Sequence, residues 1–212
     1  LQQSLCNAIF VRMTEEQERP QKPQQQYRTL DARSLRGLAH PLRMQLLSAL
    51  RQRGPATASQ LAERLGESSG ATSYHLRQLA AHGFVVDAPE HGKGRERWWK
   101  AADEGLDFDD ALLKDPDPAV RGAADVFLHE VATTHARELS TWLGTRNDWS
   151  RQWIRATDMS DMTLRLTPDL ARELIREMHD LVESYRALAP AEGTPDAEQV
   201  RIHTHAFPFT TN

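Results

Sequence analysis

One cysteine is present in 212 residues, Cys6, and it lies in a polar N-terminal stretch. A single thiol can form neither an internal disulfide nor a two-cysteine metal or redox site, so a reducing cytoplasm is the expected setting. No apolar run approaches the ~20 residues that a membrane span needs, which excludes a membrane role from the expectation. Residues 1–11 are only faintly signal-like: they carry no basic leader, and the apolar piece Ala8-Ile9-Phe10-Val11 is short. Met13 is a candidate start. Also missing are a Gly-rich phosphate loop, a Gly-x-Ser-x-Gly elbow and a Gly-x-Gly-x-x-Gly signature, so neither an enzyme nor a bound cofactor is expected. The last absence is local. From Ser68 to His82 there is no Asp or Glu.

What is present divides by charge. The net charge of −4 conceals 12 basic against 6 acidic residues from Arg28 to Lys100, and 11 basic against 21 acidic from Ala101 to Asn212. A nucleic-acid binder needs a positive footprint, and here it is confined to the first of these stretches. The acidic half would repel DNA and must do something else. Residues 14–27 are Gln-rich and broken by proline, which predicts a disordered arm over residues 1–28. The expected division is this arm, a helix-rich domain over 29–102, and an acidic C-terminal dimerisation or regulatory domain over 103–212.

Within the basic part, Asp31 caps a short helix over 32–39, and Pro41 opens another over 42–53 with Leu42, Leu46, Leu47 and Leu50 on one face. His40, before Pro41, reads as a helix-junction residue. Ala58, Leu61, Ala62 and Leu65 then recur at i, i+3, i+4 and i+7 behind the N-cap Thr57, and Gly66 ends that helix. Ser68 caps a second helix over 69–82, whose inner face carries Thr72, Leu76 and Leu79. Two helices across about three residues make a helix-turn-helix. The outer face of the second presents Ser69, Gly70, Ser73, Tyr74 and Arg77. Small, hydroxyl-bearing, aromatic and cationic groups without an acid suit a major groove, where donors meet base edges and phosphates.

Gly83 stops the helix, after which residues 84–86 and 96–100 read as antiparallel strands around the loop 88–95. Lys93, Arg95 and Arg97 are cations that a phosphate backbone or minor groove can take up. The candidate DNA contacts are therefore Ser68, Ser69, Gly70, Ser73, Tyr74 and Arg77, with His75 on the backbone and Lys93, Arg95 and Arg97 on the wing. Leu38-Ala39-His40-Pro41-Leu42-Arg43, Gln60-Leu61-Ala62, and Ser73-Tyr74-His75-Leu76-Arg77-Gln78-Leu79 followed by Gly83-Phe84-Val85 together resemble the arsenic-repressor (ArsR) type of bacterial winged-helix regulator. The resemblance implies a homodimeric transcriptional regulator of the nucleoid, usually a repressor released from a pseudo-palindromic double-stranded operator by an effector. A winged helix used for protein contacts or RNA is the alternative.

Beyond the wing, residues 103–110 read as an acidic connector. Residues 119–143 keep apolar positions Val120, Ala124, Phe127, Leu128, Val131, Leu139 and Trp142 near a helical period. In the resembling family such a helix commonly forms the dimer interface; packing within the chain competes with that role. Residues 162–166 alternate as a strand, 169–188 form a helix with the stripe Leu170, Leu174, Met178, Leu181 and Tyr185, and 200–207 alternate again. The expected fold class is mainly α with small β: a winged helix-turn-helix, a long dimerisation-type helix, and a small strand-helix-strand α+β domain.

Metal-sensing members of the family carry a Cys-x-Cys pair, absent here, or ligands on the helix after the wing. His129, Glu130 and His135 fall on different faces of that helix, and His203 with His205 is a common pattern on a solvated strand, so no metal is expected. A small-molecule effector is the more natural input. Trp142, Trp149, Trp153, Met162 and Phe207 are the candidate pocket, with Met159 beside them.

Overall fold

The structure, a computed structural model, describes residues 27–92, 96–191 and 193–210. The expectations for residues 1–26, including Cys6 and Met13, and for Lys93 and Arg95 lie outside these residues. The chain divides into two compact units between Ala136 and Arg137.

The first unit begins with a strand, β1 (Tyr27–Leu30), so the last two residues of the expected arm, Tyr27 and Arg28, are ordered backbone. β1 pairs in parallel with β5 (Gly105–Phe108), Leu30 lying opposite Phe108. The acidic connector expected at 103–110 is thus in part a strand. Its alternation puts Leu106 and Phe108 in the core and leaves Asp107 half-buried.

Four helices follow. α1 (Ala32–Leu38) starts in a reciprocal cap: Asp31 accepts from the Ser34 amide at 2.7 Å, and the Ser34 hydroxyl accepts from the Asp31 amide at 2.9 Å. α2 (Pro41–Arg53) is capped by His40, whose Nδ1 accepts from the Leu42 amide at 3.2 Å, which is the junction role read from the sequence. α3 (Ala58–Leu65) has the same reciprocal cap between Thr57 and Gln60, and it ends at Gly66, whose φ of +68° is cheap only for glycine. α4 (Ser69–Ala81) begins at Ser68, whose hydroxyl accepts from the Ala71 amide. Leu35, Leu38, Leu46, Leu47, Leu61, Leu76 and Leu79 are all at most 1 % exposed and form one core with Phe84, Phe108 and Phe127.

The second sheet has the order β2-β4-β3, built from β2 (Ala56–Thr57), β3 (Val85–Asp87) and β4 (Trp98–Ala101). β4 pairs antiparallel with both neighbours, with Trp99 opposite Ala56 on one side and Asp87 on the other. Arg51 of α2, 3 % exposed, ties this part to β5: its Nε donates to the Asp103 carbonyl at 3.1 Å and its Nη2 to the Gly105 carbonyl at 3.3 Å. Burial lowers its pKa to about 10, and the same burial raises that of Asp103.

α5 (Pro118–Thr145) is longer than expected. Val120, Ala124, Phe127 and Val131 are buried, and the Phe127 ring stacks on Phe108 with centroids 5.5 Å apart. This face, expected at a dimer interface, is occupied within the chain by the core beneath the helix-turn-helix. An apolar stripe states that a helix face must be covered and does not say by what.

The second unit contains the C-terminal part of α5, α6 (Arg151–Arg155) and α7 (Pro168–Arg186). The strand-helix-strand arrangement expected here is corrected on both strands: 162–166 and 200–207 form no ladder. Each carries the alternation of a strand and lacks a partner strand, without which an extended segment is not a sheet. Among the described residues from Arg137 onward, none is buried.

Candidate nucleic-acid interface

The candidate contacts on α4 project from a rigid inner face. Thr72, Leu76 and Leu79 are fully buried, so the rotation of the helix is set by its packing. That rotation leaves Ser68, Ser69, Gly70 and Arg77 exposed and Tyr74 53 % exposed, with Ser73 half-buried. A Cβ at Gly70 would meet nothing within 4 Å, so the backbone there is open to close approach. With Ser68 capping one amide, the remaining first-turn amides of α4 face outward and can donate to an anion. Among the described residues Arg77 takes part in no ion pair, which leaves its guanidinium available to a guanine edge or a phosphate.

His75 is placed differently from its neighbours. Its ring lies 4.4 Å from that of His40 and edge-on to Tyr74, and its Nδ1 is buried without a hydrogen-bond partner. Burial first, then the charges of His40 and Arg43, lower its pKa, with Glu67 opposing. His40 is lowered by burial and Arg43, and His82 by burial and then Arg33, Arg43 and Arg28. The arrangement therefore holds the root of α4 in the neutral imidazole state.

Thr57, Ser59, Ser73, Arg77, Glu96, Arg97 and Trp99 line a cleft of about 230 Å³ between the first turn of α3, the middle of α4 and the base of the wing. Here the sequence reading missed three acids. Glu96 accepts from the Ser59 hydroxyl at 3.0 Å. Asp87 holds Arg97 by two hydrogen bonds, the Nη2–Oδ2 one at 2.7 Å, while the guanidinium also stacks 4.1 Å from the Trp99 ring. The hydrogen bond from Arg97 holds the Asp87 carboxyl below its usual range, and the reverse contact keeps Arg97 charged. Glu90 accepts from Lys100 at 2.7 Å. The register that sets Asp87 opposite Trp99, diagonal to Arg97, was the signal that could have found the Asp87–Arg97 pair: opposite charges in cross-strand reach pair.

The five effector candidates differ in how far they are covered. Met162 is 83 % and Phe207 72 % exposed, Trp149 is exposed, and Trp142 and Trp153 are half-buried. Among the described residues no three His, Cys, Asp or Glu side chains form a group that could hold a metal ion, and no helix is long and apolar enough to cross a membrane.

Comparison with known proteins gives one family match and several solved structures. A family described as a helix-turn-helix domain matches residues 38–87, which is less than half of the chain. No curated protein matches it. Solved structures that the chain matches include a homodimeric winged helix-turn-helix DNA-binding domain from Mycobacterium bovis, described as a possible ArsR-family transcriptional regulator. It is 23% identical, covers 50% of this chain and 82% of that one, and has a TM-score of 0.32. ZitR of Lactococcus lactis in complex with DNA is 18% identical, with 68% and 73% covered and a TM-score of 0.28. A transcriptional regulator of Thermotoga maritima is 12% identical, with 69% and 78% covered and a TM-score of 0.27. The family match ends at residue 87, the last of β3, and β4 pairs antiparallel with that strand, so the chain carries a helix-turn-helix followed by a wing-like pair of strands.

Proposed function

We propose that the protein is a sequence-specific, homodimeric DNA-binding repressor that lays α4 in the major groove and its wing along the adjacent backbone. The observation that carries this reading is the outer face of α4: acid-free, exposed at Ser69, Gly70, Tyr74 and Arg77, and fixed in rotation by three buried inner side chains. Two copies would place their helices about one helical turn apart on a pseudo-palindromic site. Ser69, Ser73, Tyr74 and Arg77 are the base and groove contacts. Ser59, at the start of α3, lines the same cleft with its hydroxyl held by Glu96.

Selection of bound fragments from genomic DNA, followed by titration of the recovered site, tests this. Arg77→Ala should weaken specific binding by about 1–3 kcal/mol and relax preference at one base pair. Recovery of no enriched sequence, or equal affinity of Arg77→Ala and wild type for the recovered site, would defeat the reading. One observation favours the competing role in protein contacts: Arg97 and Lys100, the wing cations among the described residues, are each paired with an acid. A protein-binding wing can keep those pairs, whereas a DNA-binding wing gains by opening them.

A further inference from the structure

α4 is seated on α1 and α2 through imidazoles. His75 and His82 lie about two turns apart on one flank of the helix. The His75 ring is 4.4 Å from that of His40, at the junction of α1 and α2. His82, the C-cap of α4, lies so close against Gly37 of α1 that a Cβ added there would collide with its ring. Tyr74, exposed on the outer face, stands edge-on to His75 with centroids 5.1 Å apart. The packing of these rings therefore helps to set where the outer face points.

Two of the rings sit where an added proton has no place. His40 Nδ1 accepts from the Leu42 amide at 3.2 Å as the N-cap of α2. An imidazolium carries hydrogen on both nitrogens and accepts nothing, so protonation sets donor against donor and removes the cap. His75 Nδ1 is buried with no partner, so its imidazolium would bury a donor that lacks an acceptor. The surrounding charges oppose protonation too. Facing the three rings are Arg28 from β1, Asp31 and Arg33 from the start of α1, Arg43 from α2 and Glu67 from the turn before α4. The phenol of Tyr74 faces Arg43 as well as His75. Three cations thus oppose two carboxylates, and the Asp31 carboxylate is already bonded to the Ser34 amide and hydroxyl. Arg43 Nε is itself buried without an acceptor.

We propose that the seam of His40, His75 and His82 between α4 and the α1–α2 pair is a proton-operated release, in which acid loosens α4 from its seat and so weakens its hold on DNA. The proton is then the effector, received beside the recognition helix and without a cavity. The sign follows from burial, which is the first cause lowering all three imidazoles. The seam is intact above the ordinary 6.5 and is lost as pH falls through the lower folded values. The effect on DNA rests on the DNA-binding reading above, whereas the loosening of α4 does not.

Two measurements on the full chain test this. Amide hydrogen exchange without DNA, corrected for the intrinsic pH dependence of exchange, reads the seat itself. Between about pH 7.5 and about pH 5.5, α4 and the first turn of α2 should lose protection while α5 around Phe127 keeps it. His40→Asn retains an N-cap acceptor that takes up no proton, and it should blunt that loss. His75→Gln, compared only with itself at the two pH values, should blunt it as well. Titration on the recovered site in roughly 200 mM salt, where exposed charges are well screened, reads the consequence. Wild-type affinity should fall about tenfold over the interval, the effect of one proton per chain expelled over one pH unit, and that of His40→Asn by less than about threefold. Protection that acid leaves unchanged, that is lost alike across α4 and α5, or that is lost equally in wild type and both variants overturns the proposal with or without an operator. Affinity that rises on acidification overturns it too, because that is the sign of an imidazolium drawn to phosphate with α4 still seated. Local loss of protection with no operator recovered supports the seam and defeats the DNA reading alone.

Discussion

Asp87→Asn should tighten DNA binding. In the structure Asp87 neutralises Arg97 at the base of the wing, and both side chains are about half exposed. An exposed pair contributes little to folding, so the variant should keep its fold. What changes is the charge that the wing offers a phosphate. With the carboxylate gone, Arg97 remains positioned over Trp99 and is free to bond outward. Each phosphate neutralised by a protein cation adds about 0.9 to the slope of log affinity against log salt. Asp87→Asn should therefore steepen that slope by about one unit, and its advantage over wild type should shrink roughly 3.5-fold between 50 and 200 mM salt.

Fluorescence anisotropy on the recovered site, titrated across that salt range, reads the slope directly. A double variant sharpens the logic. In an Arg97→Ala background, Asp87→Asn should no longer steepen the slope, because no released cation remains to contact a phosphate. Parallel salt lines for wild type and Asp87→Asn would refute the placement of the wing base on DNA. A slope change that persists without Arg97 would instead assign the effect to removal of a negative charge near the duplex.

The remaining predictions concern the scaffold. Phe127→Ala removes a fully buried ring stacked on Phe108 and should cost roughly 3–5 kcal/mol, read as a thermal midpoint lowered by the same amount at every protein concentration. A lowering that grows on dilution in step with loss of dimer would show instead that this face of α5 lies between subunits. Stability should also fall as pH drops from 7 towards 5. His40, His75 and His82 have folded pKa values below the ordinary 6.5, so the unfolded chain takes up protons first and is favoured as pH passes below that value. Above it all three are neutral in both states and the full stability is present. Urea titrations at stepped pH should show this slope, and His75→Gln should reduce it; a stability that rises on acidification through that window would contradict the placement of the imidazoles.

How far the sequence could be read depended on whether a segment's partner lies nearby in the chain. α3 and α4 were legible because Thr57, Gly66 and Ser68 mark their ends chemically and their apolar residues keep one period. The parallel pair of β1 and β5 was not: Tyr27–Leu30 follows a Gln-rich run, and its partner lies beyond the whole helix-turn-helix, so no local pattern announces the pairing. The acid-free outer face of α4 was legible, because the absence of acids is a property of contiguous residues, and the Asp87–Arg97 pair was not, because Asp87 reaches Arg97 only after β3 and β4 have set their register. α5 and the C-terminal segments show the same limit. The period through Val120 and Phe127 and the alternation through Val200 and Ile202 each state that one face must be covered. For Phe127 the cover is the chain's own Phe108. Val200 and Ile202 are each 58 % exposed, while their neighbours Arg201 and His203 bond Glu138, so the apolar side of that alternation is left uncovered.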